Sequence, residues 1–191
     1  MLTTAVSYLL IGSFLVLQRV LRRGEQARSL RPSPEDRGST RLLGLAFGFS
    51  ILALIVAPLL NRFEVARLDL GFPVGWVGVT LMLGGLALRW WANAVLGRFY
   101  TSTLRLAEDQ QVVRAGPYRL VRHPGYGGVL LLWAGAGLAS QNWAVAAIIL
   151  SLMSVAYAYR IKSEESMLQT AFGDQYRSYM QSTWRLVPWV F

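Results

Sequence analysis

The chain has 191 residues, of which 54% are hydrophobic and only 15% charged, against roughly 25% charged in ordinary soluble domains. Its net charge is +9, with no Cys and a single His, which excludes disulfides, thiolate catalysis and Cys-based zinc sites and leaves no His cluster for a metal. The basic residues flank long apolar runs, a pattern of membrane proteins facing an anionic leaflet rather than of nucleic-acid binders. Seven Trp and eight Tyr suit membrane–water interfaces, where such side chains collect.

The first apolar run extends from Leu2 to about Leu17 and is followed by an Arg cluster. It has no basic segment before it and no small-residue cleavage site, so it reads as a signal anchor with its N-terminus outside. Residues 19–41 hold seven Arg among Ser, Pro and acidic residues and read as a mobile linker rather than a site. The second run is Leu42 to Leu60, and the third is about Phe72 to Leu96, interrupted by Arg89. Arg89 beside Trp90 and Trp91 suggests a side chain snorkelling to the head groups, with a substrate contact as the alternative. The fourth run, about Tyr126 to Ala139, and the fifth, about Trp143 to Tyr159, are joined only by Ser140, Gln141 and Asn142, which predicts a tight helical hairpin. Glycines in the third and fourth runs (Gly75, Gly78, Gly84, Gly85, Gly135, Gly137) indicate either close helix packing or a groove for a lipid chain.

With five spans, every basic-rich segment falls on one side: residues 19–41, residues 98–122 with five Arg, and the tail with Arg160, Lys162, Arg177 and Arg185. The positive-inside rule makes that side cytoplasmic. The expected fold is an all-α integral membrane bundle of about five helices. Residues 1–97 form three spans, and residues 98–191 form a cytoplasm-facing region with the hairpin and a C-terminal interfacial helix.

Three clusters on that side could carry chemistry. Residues 116–126 contain Arg122-His123-Pro124, where Pro124 suits the first position of a helix. Free N–H groups there, with Arg122, would suit an anion; the alternative is a plain loop-to-helix junction with Arg122 on lipid phosphate. Residues 160–168 place Arg160 and Glu164 one turn apart on one helical face, either as a functional pair or as an interfacial salt bridge. Residues 172–179, followed by Trp184, Pro188 and Trp189, fit an amphipathic helix anchored at the interface. There is no phosphate-binding loop and no Gly-rich dinucleotide motif.

In order, Val112-Val113, Gly116, Tyr118, Arg122-His123-Pro124, Tyr126, Arg160, Glu164-Glu165, Leu168, Phe172-Gly173, Tyr176, Tyr179 and Pro188 form a series. That series resembles the isoprenylcysteine carboxyl methyltransferase family, including its short prokaryotic members. The resemblance implies an integral membrane methyltransferase that uses S-adenosyl-L-methionine, yields S-adenosyl-L-homocysteine, and binds the cofactor without a Rossmann sheet. Carried over by position, Gln110, Gln111, Val112, Val113, Tyr118, His123, Pro124, Gly125, Tyr126 and Glu164 would form the cofactor site. Arg160 would hold the substrate carboxylate. Gln110 departs from the family, which often has His there. The acceptor would be a lipophilic small molecule or a prenylated cysteine, met in a bacterial or archaeal cytoplasmic membrane. Related membrane enzymes leave three alternatives: a phospholipid N-methyltransferase with His123 as base, an NADPH-dependent sterol-reductase-like enzyme, and a non-catalytic lipid-binding protein.

Overall fold

The structure is a computed structural model and describes residues 2–20, 36–68, 72–101, 103–104, 106 and 109–189. Among the described residues six α-helices follow one another: α1 (Leu2–Val20), α2 (Ser39–Arg62), α3 (Phe72–Leu96), α4 (Pro124–Ala139), α5 (Trp143–Phe172) and α6 (Asp174–Gln181). Two 3-10 turns, Gly97–Phe99 and Gly116–Arg119, lie between α3 and α4. Among the described residues there is no strand. All five apolar runs form helices, as their composition dictates. Among the described residues four segments are long and apolar enough to cross a bilayer: Leu2–Arg19, Ser39–Arg62, Pro73–Phe99 and Trp143–Phe172. The remaining helix, α4, has 16 residues and rises about 24 Å. It is apolar and largely buried in the bundle. The fifth run does not stop at Tyr159: α5 continues unbroken for 30 residues, about 45 Å.

The helices pack α3 on α4, α2 on α5, and α4 beside α5, with α1 against α3. The α3–α4 contact is made backbone to backbone. A Cβ added to Gly78 would stand 2.5 Å from the Gly135 carbonyl oxygen, and one added to Gly85 would stand 2.5 Å from that of Gly128. Gly78, Gly85, Gly128 and Gly135 are therefore packing residues. Gly137 plays the same part in the hairpin, where a Cβ would lie 2.9 Å from Ala146 Cα. Trp133, Phe14, Leu54 and Met153 fill the core, and Phe47 meets the Trp133 ring edge to face at 5.4 Å. Leu9, Ile55 and Val155 are more than 60% exposed and form the apolar outer surface that a bilayer would cover.

One end of the bundle is fastened by polar side chains. The hairpin turn is tight because Gln141 adopts φ 53° and Asn142 caps α5, its Oδ1 accepting from Val145 N–H at 3.1 Å. Asn142 Nδ2 donates to Asn61 Oδ1 and to the Val65 carbonyl, both at 2.9 Å, and Asn61 Nδ2 donates to the Ser140 carbonyl at 2.8 Å. The hydroxyls of Thr3 and Thr4 donate to the Ala139 carbonyl at 3.0 and 3.2 Å. At the opposite end the helices part around a cavity.

Three expectations follow for thermal unfolding of the detergent-purified protein. Gly135→Val should destabilise by about 1–3 kcal/mol or more, because the valine overpacks a contact with no free volume. Gly48→Ala, where an added Cβ meets nothing within 4 Å, should be neutral or slightly stabilising. Equal unfolding temperatures for Gly135→Val and the unaltered protein would refute the backbone contact. Asn142→Ala should cost about 1–2 kcal/mol through the lost helix cap.

Candidate active site

A cavity of about 480 Å³ opens at the end opposite the hairpin turn. It is built from the C-terminal ends of α1 and α3, the start of α2, the described residues between Phe99 and Val113, the start of α4, the second half of α5, and α6. Of the ten residues expected at the cofactor site, nine line it: Gln110, Gln111, Val112, Val113, Tyr118, His123, Gly125, Tyr126 and Glu164. Pro124 does not; it is buried at the first position of α4 and sets the direction of that helix. Arg160 lines the same cavity. Segments more than a hundred residues apart thus meet around one space.

The Arg122-His123-Pro124 junction is not an open anion pocket. Arg122 Nε is 2.9 Å from Glu165 Oε1, and Arg122 Nη1 donates to the carbonyls of Met180, at 3.0 Å, and Thr183. The backbone N–H groups of Arg122 and His123 donate to the Trp184 and Arg185 carbonyls. His123 Nε2 lies 3.2 Å from Glu165 Oε1, and Arg185 Nη2 lies 3.0 Å from Oε2. A single buried carboxylate therefore gathers three side chains from α4 and the C-terminal segment. Arg122 is a structural residue, since a buried guanidinium must be paired to be tolerated.

The C-terminal region is more than an interfacial anchor. Helix α6 forms as the aromatic spacing suggests, but Tyr176 and Tyr179 are buried and line the cavity. The Tyr179 hydroxyl donates to the Tyr118 carbonyl at 2.8 Å, and Arg114 lies over the Tyr179 ring. Burial pushes the Tyr179 hydroxyl up to about 12, outweighing the opposing pull of Arg122 and Arg114. Burial likewise raises the Tyr118 hydroxyl. Both remain neutral donors at physiological pH rather than bases.

Arg160 and Glu164 are joined through a third residue. The Tyr126 hydroxyl donates to Glu164 Oε2 at 2.6 Å and accepts from Arg160 Nε at 3.3 Å. On its other side Arg160 Nη1 is 2.9 Å from Asp36 Oδ1 and also donates to Ser39 Oγ and Thr40 Oγ1. Burial alone would raise the Asp36 carboxyl. Hydrogen bonds from Thr40 and Ser39 and the Arg160 charge outweigh that and hold it below its ordinary value, so it is ionised at neutral pH. The segment taken from sequence as a linker without a site thus brings Asp36 against Arg160 of the cavity wall, and its Thr40 lines the cavity itself. Residues 21–35 of that linker lie outside the described residues.

Arg89 corrects the sequence reading most sharply. It does not snorkel: it is 8% exposed and lines the cavity. It passes so close to α4 that a Cβ on Gly125 would stand 2.7 Å from Arg89 Nη1. Its Nη2 donates to the Tyr100 hydroxyl at 3.2 Å and the Gln18 side-chain oxygen at 3.3 Å. Among the described residues its partners are neutral. One turn later on α3, the Asn93 side chain is 4% exposed and lines the cavity with neither amide atom paired. The sequence signal was present, because an ionisable residue inside an apolar span is a functional candidate by its cost. Asn93 and Asp36 carried no comparable signal.

Residues 77–170 match the model of the isoprenylcysteine carboxyl methyltransferase (ICMT) family. A probable protein-S-isoprenylcysteine O-methyltransferase of Oryza sativa subsp. indica is 31% identical over 119 residues, 61% of this chain and 62% of the rice protein. Protein-S-isoprenylcysteine O-methyltransferase A of Arabidopsis thaliana is 32% identical over 120 residues, 60% of this chain and 61% of the relative. The chain thus spans about three fifths of the length of these relatives. The solved structure of a eukaryotic intramembrane Ras methyltransferase, ICMT, superposes with a TM-score of 0.63 at 22% identity, covering 78% of this chain and 52% of that one, and so shares the fold. The chain is thus similar to the isoprenylcysteine carboxyl methyltransferase family over residues 77–170, and its all-helical bundle shares the fold of a solved member.

Proposed function

We propose that this protein is an S-adenosylmethionine-dependent membrane methyltransferase that esterifies the carboxylate of a lipophilic, isoprenylcysteine-type acceptor. The observation that carries this reading is Arg89, a buried guanidinium lining the cavity whose partners among the described residues are neutral. A buried charge without a counter-charge is costly, and an acceptor carboxylate would supply the missing charge. A positive cavity wall also disfavours the protonated amine of a phospholipid head group.

The residues present fit the cofactor. A volume of about 480 Å³ lies within the range of small-molecule sites, roughly 300–1,000 Å³. Glu164, with its side chain 25% exposed, can accept from ribose hydroxyls or pair with an ammonium. The unpaired Asn93 amide and Thr103 hydroxyl each await a polar partner, since a buried polar group left unpaired costs about 1–3 kcal/mol.

When bound, S-adenosylmethionine supplies a methyl group already activated on sulfur, so an acceptor oxygen forms the O–C bond as the C–S bond breaks, the electron pair goes to sulfur, and a methyl ester and S-adenosylhomocysteine result. No proton moves, and no general base is needed. The chain's work is positioning. Arg89 orients the carboxylate by charge-assisted hydrogen bonds. Phe14, Leu43 and Phe47 wall the cavity on its apolar side and exclude water. Tyr126 commits its proton to Glu164 and fixes that side chain. The resemblance gives the carboxylate to Arg160, but Asp36 already neutralises that guanidinium, and the charge balance favours Arg89. The cavity end also carries Arg98, Arg114, Arg119 and Lys162, which by the positive-inside rule faces the cytoplasm.

Calorimetric titration with S-adenosylhomocysteine, with NADPH as control, tests the cofactor, and turnover of a prenylated cysteine tests the acceptor. Glu164→Gln should weaken cofactor binding. Arg89→Gln should retain it and lose roughly 100-fold in turnover, the scale of a charged hydrogen bond. Binding of NADPH alone, or full activity in Arg89→Gln, would sink the proposal.

A further inference from the structure

Asp36 lies 124 positions from Arg160 in sequence, yet the two form one buried cluster, at 1% and 3% exposure. Asp36 Oδ1 accepts from the Ser39 and Thr40 hydroxyls, each at 2.8 Å, and its Oδ2 accepts from the Thr40 N–H at 3.1 Å. Arg160 Nη1 reaches Asp36 Oδ1 at 2.9 Å, Ser39 Oγ at 3.0 Å and Thr40 Oγ1 at 2.9 Å. Capping the start of α2 requires only the contact to the Thr40 N–H. The rest of the cluster is directed at the guanidinium.

Glu164 stands one turn beyond Arg160 on α5, in the register where opposite charges close into a pair. Its Oε2 instead faces the Tyr126 hydroxyl, and the side chain lines the cavity. Arg160 is drawn the other way, towards the start of α2. We infer that Asp36 is a positioning residue: by neutralising and holding Arg160, it keeps Glu164 free to bind the cofactor. This rests on the cofactor reading above. Without the Asp36 charge, Arg160 has Glu164 as the carboxylate next along its own helix, and their pairing withdraws Glu164 from the cavity. Asp36 itself need touch neither cofactor nor acceptor.

The test is calorimetric titration with S-adenosylhomocysteine of the full-length protein, Asp36→Asn, Arg160→Gln and the double variant, with circular dichroism to verify folding. Asparagine keeps the size and the Oδ1 acceptor of Asp36 and removes its charge. Asp36→Asn should weaken binding about tenfold, the scale of one charge-assisted hydrogen bond. In the Arg160→Gln background, where Arg160 can no longer capture Glu164, Asp36→Asn should cause no further loss. Unchanged affinity in Asp36→Asn, or the same loss in both backgrounds, overturns the inference. If Asp36→Asn does not fold, Ser39→Ala loosens the same cluster and leaves its charges intact. It should weaken binding about threefold, again only when Arg160 is present, and an unaltered affinity overturns the inference. An unaltered protein that binds no S-adenosylhomocysteine removes the cofactor reading itself and the inference with it.

Discussion

The approach of α3 to α4 at backbone distance is the constraint on which the rest of the bundle depends. Two glycine pairs, Gly78 with Gly135 and Gly85 with Gly128, leave no side chain between the helices. Without a hydrophobic drive between helices in lipid, such closeness supplies the van der Waals contact that holds them together. The line of contact continues to Gly125, where the neighbour from α3 is no longer backbone but the Arg89 guanidinium. The same small-residue surface that zips the helices lets a long cation slide past the start of α4 into the space beyond. Packing and site are thus two ends of one interface.

At that end, two carboxylates decide how the cations are arranged. Glu165 gathers Arg122, His123 and Arg185 and ties the C-terminal segment to the start of α4. Asp36 gathers Arg160 and ties the start of α2 to α5. Charges that would otherwise be costly inside a membrane bundle are used as cross-links between segments distant in sequence. Arg89 stands apart: among the described residues its partners are the neutral Gln18 and Tyr100.

Much of this was legible in the residues. The apolar runs gave the helices, and Ser140-Gln141-Asn142 gave the hairpin, because both are local properties of the chain. The ordered motifs of the second half gave the part of the cavity's lining that those residues form, with Pro124 alone among the expected residues standing off it. What escaped depends on direction and distance. A lone arginine beside two tryptophans has the composition of a snorkelling residue, and only the position of Gly125 across the interface shows that it turns inward. Aromatic spacing in α6 revealed a face but not whether Tyr176 and Tyr179 look to lipid or to the cavity. Asp36 sits among Arg, Ser and Pro that read as a connection, and its partner is 124 residues away. No local pattern encodes a contact of that range.

The network of Asn61, Asn142, Thr3 and Thr4 has a mechanical consequence. It clamps α1, α2, α4 and α5 together at the hairpin end, while the other end is divided by a cavity of about 480 Å³. The polar clamp closes the hairpin end, so the space for a ligand lies at the opposite end, where the ion pairs of Glu165 and Asp36 hold the segments around it.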